Sequence, residues 1–151
     1  MFLKITGVTG EAGDADHKGE IEVVSWSWGM KAPTSVMTGQ ATSKSTMTEL
    51  NIIKRVDLST PTLMQFLRNH KIAPMAQLTV RKAGTTPLEY FKIELQNVAV
   101  TSIKTESEQS ELVEHLSLGF TKVKVSYTPQ QSTGARGGGT NVFEADAHSG
   151  L

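Results

Sequence analysis

The chain has no cysteine among its 151 residues. That single absence excludes a disulfide scaffold, cysteine-ligated zinc and thiol chemistry. Nor is there an excess of either charge: 15 Lys and Arg stand against 15 Asp and Glu, a formal net charge of zero. A general nucleic-acid binder needs a basic footprint and a membrane-surface protein a polybasic one, and the sequence offers neither. Aromatic residues are sparse, at 6%. No apolar run approaches the roughly 20 residues of a membrane span. The opening, Met1-Phe2-Leu3-Lys4-Ile5-Thr6-Gly7, lacks the apolar stretch of a secretory leader and alternates like a strand. Export would therefore need a route other than an N-terminal signal. What is present is a neutral chain of one-domain length with 38% hydrophobic residues. Such a chain can bury one core and can pack against copies of itself without strong repulsion.

The dominant period is two. Leu3 and Ile5 alternate with Lys4 and Thr6, and a polar, Gly/Asp-rich loop follows over 8–19. Within 20–29, Ile21 and Val23 share one face, whereas Val24, Trp26 and Trp28 share the other. The inward phase therefore slips by one residue at Val23-Val24, as at a β-bulge. Residues 30–42 carry no period and read as a long loop, a class of segment that is often functional. Alternation returns over 43–56, with Met47, Leu50 and Ile52 or Ile53 inward. Leu63, Phe66, Leu67 and His70 then fall at i, i+3, i+4 and i+7, which predicts one helix over 60–71. Thr60 suits its N-cap, Pro61 its first turn, and Pro74 bars its continuation.

Strands resume over 76–83 and 88–96, with a hairpin connection at 84–87. Val98 and Val100 take the parity opposite to Phe91, Ile93 and Leu95, so Asn97 marks a bulge or turn. The longest alternating run, 112–127, changes parity near 119–122 and predicts a bend there. The fold class is mainly β, with about seven to nine strands and one flanking helix, in a barrel or two-sheet sandwich. Repeated phase slips are what a small barrel needs to turn its corners. Residues 128–151 contain Gly137-Gly138-Gly139, few apolar residues and no period, and read as a mobile tail.

No constellation of residues specifies an enzyme. Asp14, Asp16 and His17 could contact a cation, but their spacing fits neither an EF-hand nor a zincin, and a solvated loop making turn hydrogen bonds is the better reading. His70 ends the helix, His115 sits in a strand and His148 in the tail, with no nucleophile elbow to organise a triad. The glycine run lacks the Gly-Lys-Ser/Thr ending of a phosphate loop. Glu106, Glu108, Glu111 and Glu114 read as a solvated connection and the outer face of a strand rather than a glycosidase pair. Trp26 and Trp28 read as core anchors, with a sugar-stacking platform of a small carbohydrate-binding domain as the alternative.

One resemblance supplies what these residues do not. The opening resembles that of the Hcp family, the tube protein of the bacterial type VI secretion system. It rests on Lys4-Ile5-Thr6-Gly7, Gly10-Glu11, Asp14-Ala15-Asp16-His17 and Ser25-Trp26-Ser27-Trp28-Gly29. Lys54-Arg55-Val56-Asp57 leading into Ser59-Thr60-Pro61-Thr62-Leu63, the stretch 90–98 and the strand 120–127 before Pro129-Gln130 agree with it. The resemblance covers about residues 2–130. It implies a compact β-barrel formed from two antiparallel sheets with one flanking helix, over 1–128, followed by a flexible Gly-rich tail, 129–151. It implies a homohexameric ring whose copies stack into a tube, expelled by a contractile sheath from a baseplate beneath a VgrG-type spike. Small effectors ride in the lumen. Assembly in the cytoplasm and secretion without a signal peptide come with it. It brings no catalytic residues, cofactor, metal, nucleic acid or membrane insertion. The family's long loop places ring contacts here at Lys31, Pro33, Thr34, Ser35, Val36, Met37 and Gln40. The tail is too short for the effector domain that some relatives carry. A phage-type tail-tube protein would show much the same features.

Overall fold

The computed structural model describes residues 1–32, 45–82, 88–130 and 137–147. In chain order the elements are β1 (Phe2–Ile5), β2 (Ile21–Glu22), β3 (Ser25–Ser27), β4 (Met30–Lys31), β5 (Thr46–Met47), β6 (Leu50–Arg55), α1 (Ser59–Arg68), β7 (Ile72–Lys82), β8 (Leu88–Glu108), β9 (Glu111–Gly119), β10 (Lys122–Tyr127) and β11 (Asn141–Asp146). All pairing is antiparallel. Nine strands form one sheet that runs β2-β1-β7-β8-β9-β6-β3, with β10 on β8 and β11 on β10. The pair β4-β5 forms a separate ribbon.

The large sheet folds back on itself around one core. β8 is 21 residues long and serves two neighbourhoods. Its first half lies between β7 and β10, and its second half pairs with β9. Two irregularities bend it between these halves. Asn97 takes a left-handed φ of 52°, and Thr101 is the extra residue where the β8–β9 register shifts. Each moves the inward phase by one, so Ile93 and Leu95, then Val98 and Val100 past Asn97, then Ile103 past Thr101, all face the core. The other end of the ladder returns through the chain itself. The Val23 amide donates to Met1 O and the Val24 amide to Ile53 O. The phase slip read at Val23-Val24 is thus the point where one extended stretch leaves β1 and joins β6. Val23 stays buried, but Val24 is 48% exposed rather than inward.

Leu3, Ile5, Leu50, Ile52, Leu78, Ile93, Leu95, Leu116 and Leu118 fill the interior, and Leu63 and Phe66 of α1 close it while the helix packs on β8. Burial of these side chains is the main stabilising term, at about 1.5–3 kcal/mol for each large one.

Several expectations are corrected. The helix begins at Ser59, so Thr60 lies in its first turn and is not the N-cap. The cap function falls to Asp57, whose Oδ1 accepts from the Ser59 amide at 2.9 Å. β8 runs through the region read as a solvated connection as far as Glu108, and Gln109 and Ser110, both left-handed, make a two-residue turn to β9. No Gly, Asn or Asp marks that turn, so the sequence carried no signal for it. Residues 141–146, read as mobile tail, form β11 along the whole of β10. That strand is held by backbone ladder bonds, which need no apolar alternation. The expected hairpin at 84–87 lies outside the described residues.

Candidate assembly surface

Of the residues expected at ring contacts, Lys31 lies exposed on β4. Its ribbon is closed by Gly29 and Thr48, which exchange backbone and hydroxyl bonds of 2.9 Å. Pro33, Thr34, Ser35, Val36, Met37 and Gln40 lie outside the described residues. The structure places the ends of that loop side by side in the ribbon, away from the large sheet's hydrogen-bonded ladder.

The loop over 8–19 is only partly solvated: Asp16 and Lys18 are exposed and the Asp16 amide donates to Asp14 Oδ1 at 3.0 Å, whereas Ala12 and His17 are buried. It folds back so closely that the Gly10 amide donates to Gly19 O at 2.7 Å and the Ala12 amide to Glu20 O at 2.9 Å. Asp14 accepts both guanidinium arms of Arg81, Nη1 at 3.1 Å. That guanidinium, helped by the Asp16 amide, holds the Asp14 carboxyl at about 2, and Asp14 in turn raises Arg81. His17 is buried, stacked on Phe2 with ring centroids 4.5 Å apart. Its Nδ1 lies 2.9 Å from Glu20 Oε2 and its Nε2 meets Glu89 Oε1. Burial pushes the Glu89 carboxyl up, but hydrogen bonds from His17 and Lys92 outweigh it and hold the group below its ordinary value. These residues pin the loop to β7 and β8. The partner residues, Glu89 and Arg81, lie some 70 positions away, too far for spacing to reveal.

A second cluster is wholly inside. Lys54 and Glu114 are fully buried, although Glu114 was expected on an outer face. Lys54 Nζ donates to Arg55 O and Asp57 Oδ1 at 3.0 Å and to Thr60 Oγ1 at 3.3 Å. Thr60 Oγ1 donates to Glu114 Oε2 at 2.7 Å. The motif Lys54-Arg55-Val56-Asp57 thus locks the start of α1 onto β6 and β9.

Of the remaining candidates, His115 and Glu106 meet each other, and His148 lies outside the described residues. His70 is exposed after the helix in a left-handed conformation. His115 Nε2 lies 2.9 Å from Glu106, whose carboxyl is held low first by Lys104 and then by His115. Glu111 pairs with Arg55 at 3.6 Å. Trp26 stacks on Phe91 at 5.6 Å, and both tryptophans, partly buried, pack against the core as anchors. Among the described residues, no group of three His, Asp or Glu is arranged to hold a metal ion, and no helix is long and apolar enough to cross a membrane.

What the surface does offer is an overhang that spacing alone missed. The core-facing row Leu78, Ile93, Val125, Phe143 runs straight across β7, β8, β10 and β11. Leu78 and Ile93 are fully buried, Val125 is half-buried and Phe143 is 41% exposed. Tyr127, on the same face, is 45% exposed, and Val142, on the other, is 51% exposed.

Comparison with known proteins agrees with this architecture. The profile of the family described as "Type VI secretion system effector, Hcp" matches residues 2–127. Protein hcp1 of Pseudomonas aeruginosa is 41% identical over 144 residues, covering 92% of this chain and 89% of that protein. The crystal structure of Hcp1 from Salmonella typhimurium superposes with a TM-score of 0.78 at 32% identity, covering 96% of this chain and 92% of that one. A type VI secretion system effector from Yersinia pestis gives a TM-score of 0.79 at 27% identity, with 96% and 98% covered.

Proposed function

The chain belongs to the Hcp family, the tube and effector proteins of type VI secretion, and from that premise we propose that its copies close into hexameric rings that stack as the inner tube of the machine. The observation that carries this reading is the family match across residues 2–127. The rings form in the bacterial cytoplasm and leave with a VgrG-type spike when the sheath contracts, carrying small effectors in the lumen. Residues 1–128 supply the ring body. Lys31 and the loop bearing Pro33, Thr34, Ser35, Val36, Met37 and Gln40 contribute to contacts between subunits or between rings.

Physical chemistry supports the role. A ring repeats one heterologous interface until the rotation closes. A subunit with formal net charge zero meets its copies without strong repulsion. A chain without cysteine passes from a reducing cytoplasm to an oxidising exterior with its covalent state unchanged. The role is structural and calls for no bond-making step.

Light scattering and negative-stain electron microscopy of the purified protein test it. Rings of six copies are the expected result; a monomer at every concentration overturns the reading. Replacing Val36 and Met37 by Glu is expected to leave single rings but abolish stacking, and unchanged stacking would remove the loop from the contact.

A further inference from the structure

We infer that the loop over 8–19 is a clasp worked by the protonation of His17, shut on β8 while the ring carries both of its protons and loosened when it gives one up. The contacts lie within one subunit, so the clasp works whether or not rings form.

The geometry sets the condition. A neutral imidazole has one N–H and one lone pair, so it donates to one carboxylate and turns its lone pair on any other. The His17 ring meets a carboxylate at each nitrogen, Glu20 at Nδ1, 2.9 Å away, and Glu89 at Nε2. Only the doubly protonated ring donates to both. The ring is buried and stacked on Phe2, which leaves it little water to replace a lost donor.

The charged groups around the ring agree. The loop brings Asp14 and Asp16 as well as Glu20, and β7 brings Arg81, whose guanidinium lies over Phe2. Glu89 and Lys92 come from β8, and Glu22 of β2, exposed, stands opposite Phe2. Both of these cations are engaged elsewhere, Arg81 with Asp14 and Lys92 with the second oxygen of Glu89 at 3.2 Å. Lys4 on β1 and Lys18 are exposed. Among the described residues, the cation that Glu20 and the first oxygen of Glu89 meet is therefore His17.

His17 is the bond from the loop to β8. Asp14 holds the loop to β7, and Glu11 accepts from the Leu58 amide at the start of α1 at 2.9 Å. These two survive when His17 becomes neutral, so the loop loosens at its His17 end rather than detaching. That end carries the fold-back bonds from the Gly19 amide to Ala12 O and from the Glu20 amide to His17 O. The clasp is thus shut on the acid side of the His17 titration and loosens as the pH rises through it. At far lower pH it fails again, because Asp14 and Glu89, both held below their ordinary values, at last protonate.

Hydrogen–deuterium exchange of the full chain, read by mass spectrometry from about pH 5 to about pH 9, tests this across the ordinary histidine range. Exchange at the imidazole C2 position follows the protonation of His17. Amide exchange at Ala12, Gly19 and Glu20, corrected for its intrinsic rate, follows the clasp. The expected result is a several-fold loss of amide protection with the same midpoint as the His17 ring, while β8 and β9 keep theirs. His17→Gln should protect the loop weakly at every pH. Glu89→Gln covers the case in which that variant fails to fold. Its amide accepts from a protonated ring or donates to a neutral one, so loop protection should no longer follow the ring. A loop equally protected on both sides of the His17 titration, or a ring that does not titrate in this range, would overturn the inference.

Discussion

Lys54 and Glu114 stand directly opposite each other in the β6–β9 register, both fully buried, with Nζ 3.4 Å from Oε1. Around them Asp57 and Thr60 complete a hydrogen-bonded set that joins the sheet to the first turn of α1. Buried charges persist only when paired and hydrogen-bonded, and removing one member strands the other. Glu114→Ala is therefore expected to cost about 3–5 kcal/mol in urea unfolding. Replacing both members with apolar residues, Lys54→Met with Glu114→Leu, should cost much less than the sum of the singles. Strict additivity would show that the pair is not coupled.

The Asp14–Arg81 contact makes stability depend on pH in a stated direction. The Asp14 carboxyl is held at about 2, below its unfolded value, so its contribution is complete above about pH 4 and is lost as the pH falls toward 2. Arg81→Met is expected to melt lower than the unaltered protein at neutral pH, and the two melting curves should converge in this acid window. Glu89, also held low, acts in the same sense. A gap between the two proteins that persists unchanged to pH 2 would contradict the assignment.

Gly10 is required by the backbone that passes it. A side chain there would collide with the main chain of Glu20 and Ile21, whereas one at Gly13 would meet nothing within 4 Å. Gly10→Ala is expected to destabilise by about 1–3 kcal/mol, the range for overpacking a closed site. Gly13→Ala should leave the melting temperature nearly unchanged. Equal effects at the two glycines would show that the loop does not hold this fold-back in solution.

The turn from β8 to β9 can be improved. Gln109 and Ser110 have φ of 49° and 67°, a conformation that costs ordinary residues energy and that Asn-Gly adopts readily. The double replacement Gln109→Asn with Ser110→Gly is expected to stabilise by about 1 kcal/mol. Thermal melting reads the gain, and a loss would show that these side chains serve a contact of their own.

Much of this was legible because strand alternation is local. Leu3, Ile5, Ile52, Leu78, Ile93, Leu116 and Leu118 announce an inward face by period, and Leu63 with Phe66 announces a helix by a different period; all are buried. The slips at Val23-Val24 and Asn97 were visible for the same reason, since a change of parity is itself a local pattern. The family was legible through short motifs, among them Lys54-Arg55-Val56-Asp57 and Ser25-Trp26-Ser27-Trp28-Gly29.

What the sequence by itself determined, then, was an antiparallel β fold with one helix, a neutral surface and family membership. Only the tertiary structure decided where its polar residues went. Glu114 looks like any strand-surface glutamate until β6 brings Lys54 opposite it, and His17 looks like a loop histidine until β8 brings Glu89 to its ring. Likewise, nothing local distinguishes Phe143 in a glycine-flanked tail from a loose residue. Its place on the inward face depends on the backbone ladder from β11 to β10. Burial and pairing across tens of residues are properties of the closed sheet, and one-dimensional spacing does not contain them.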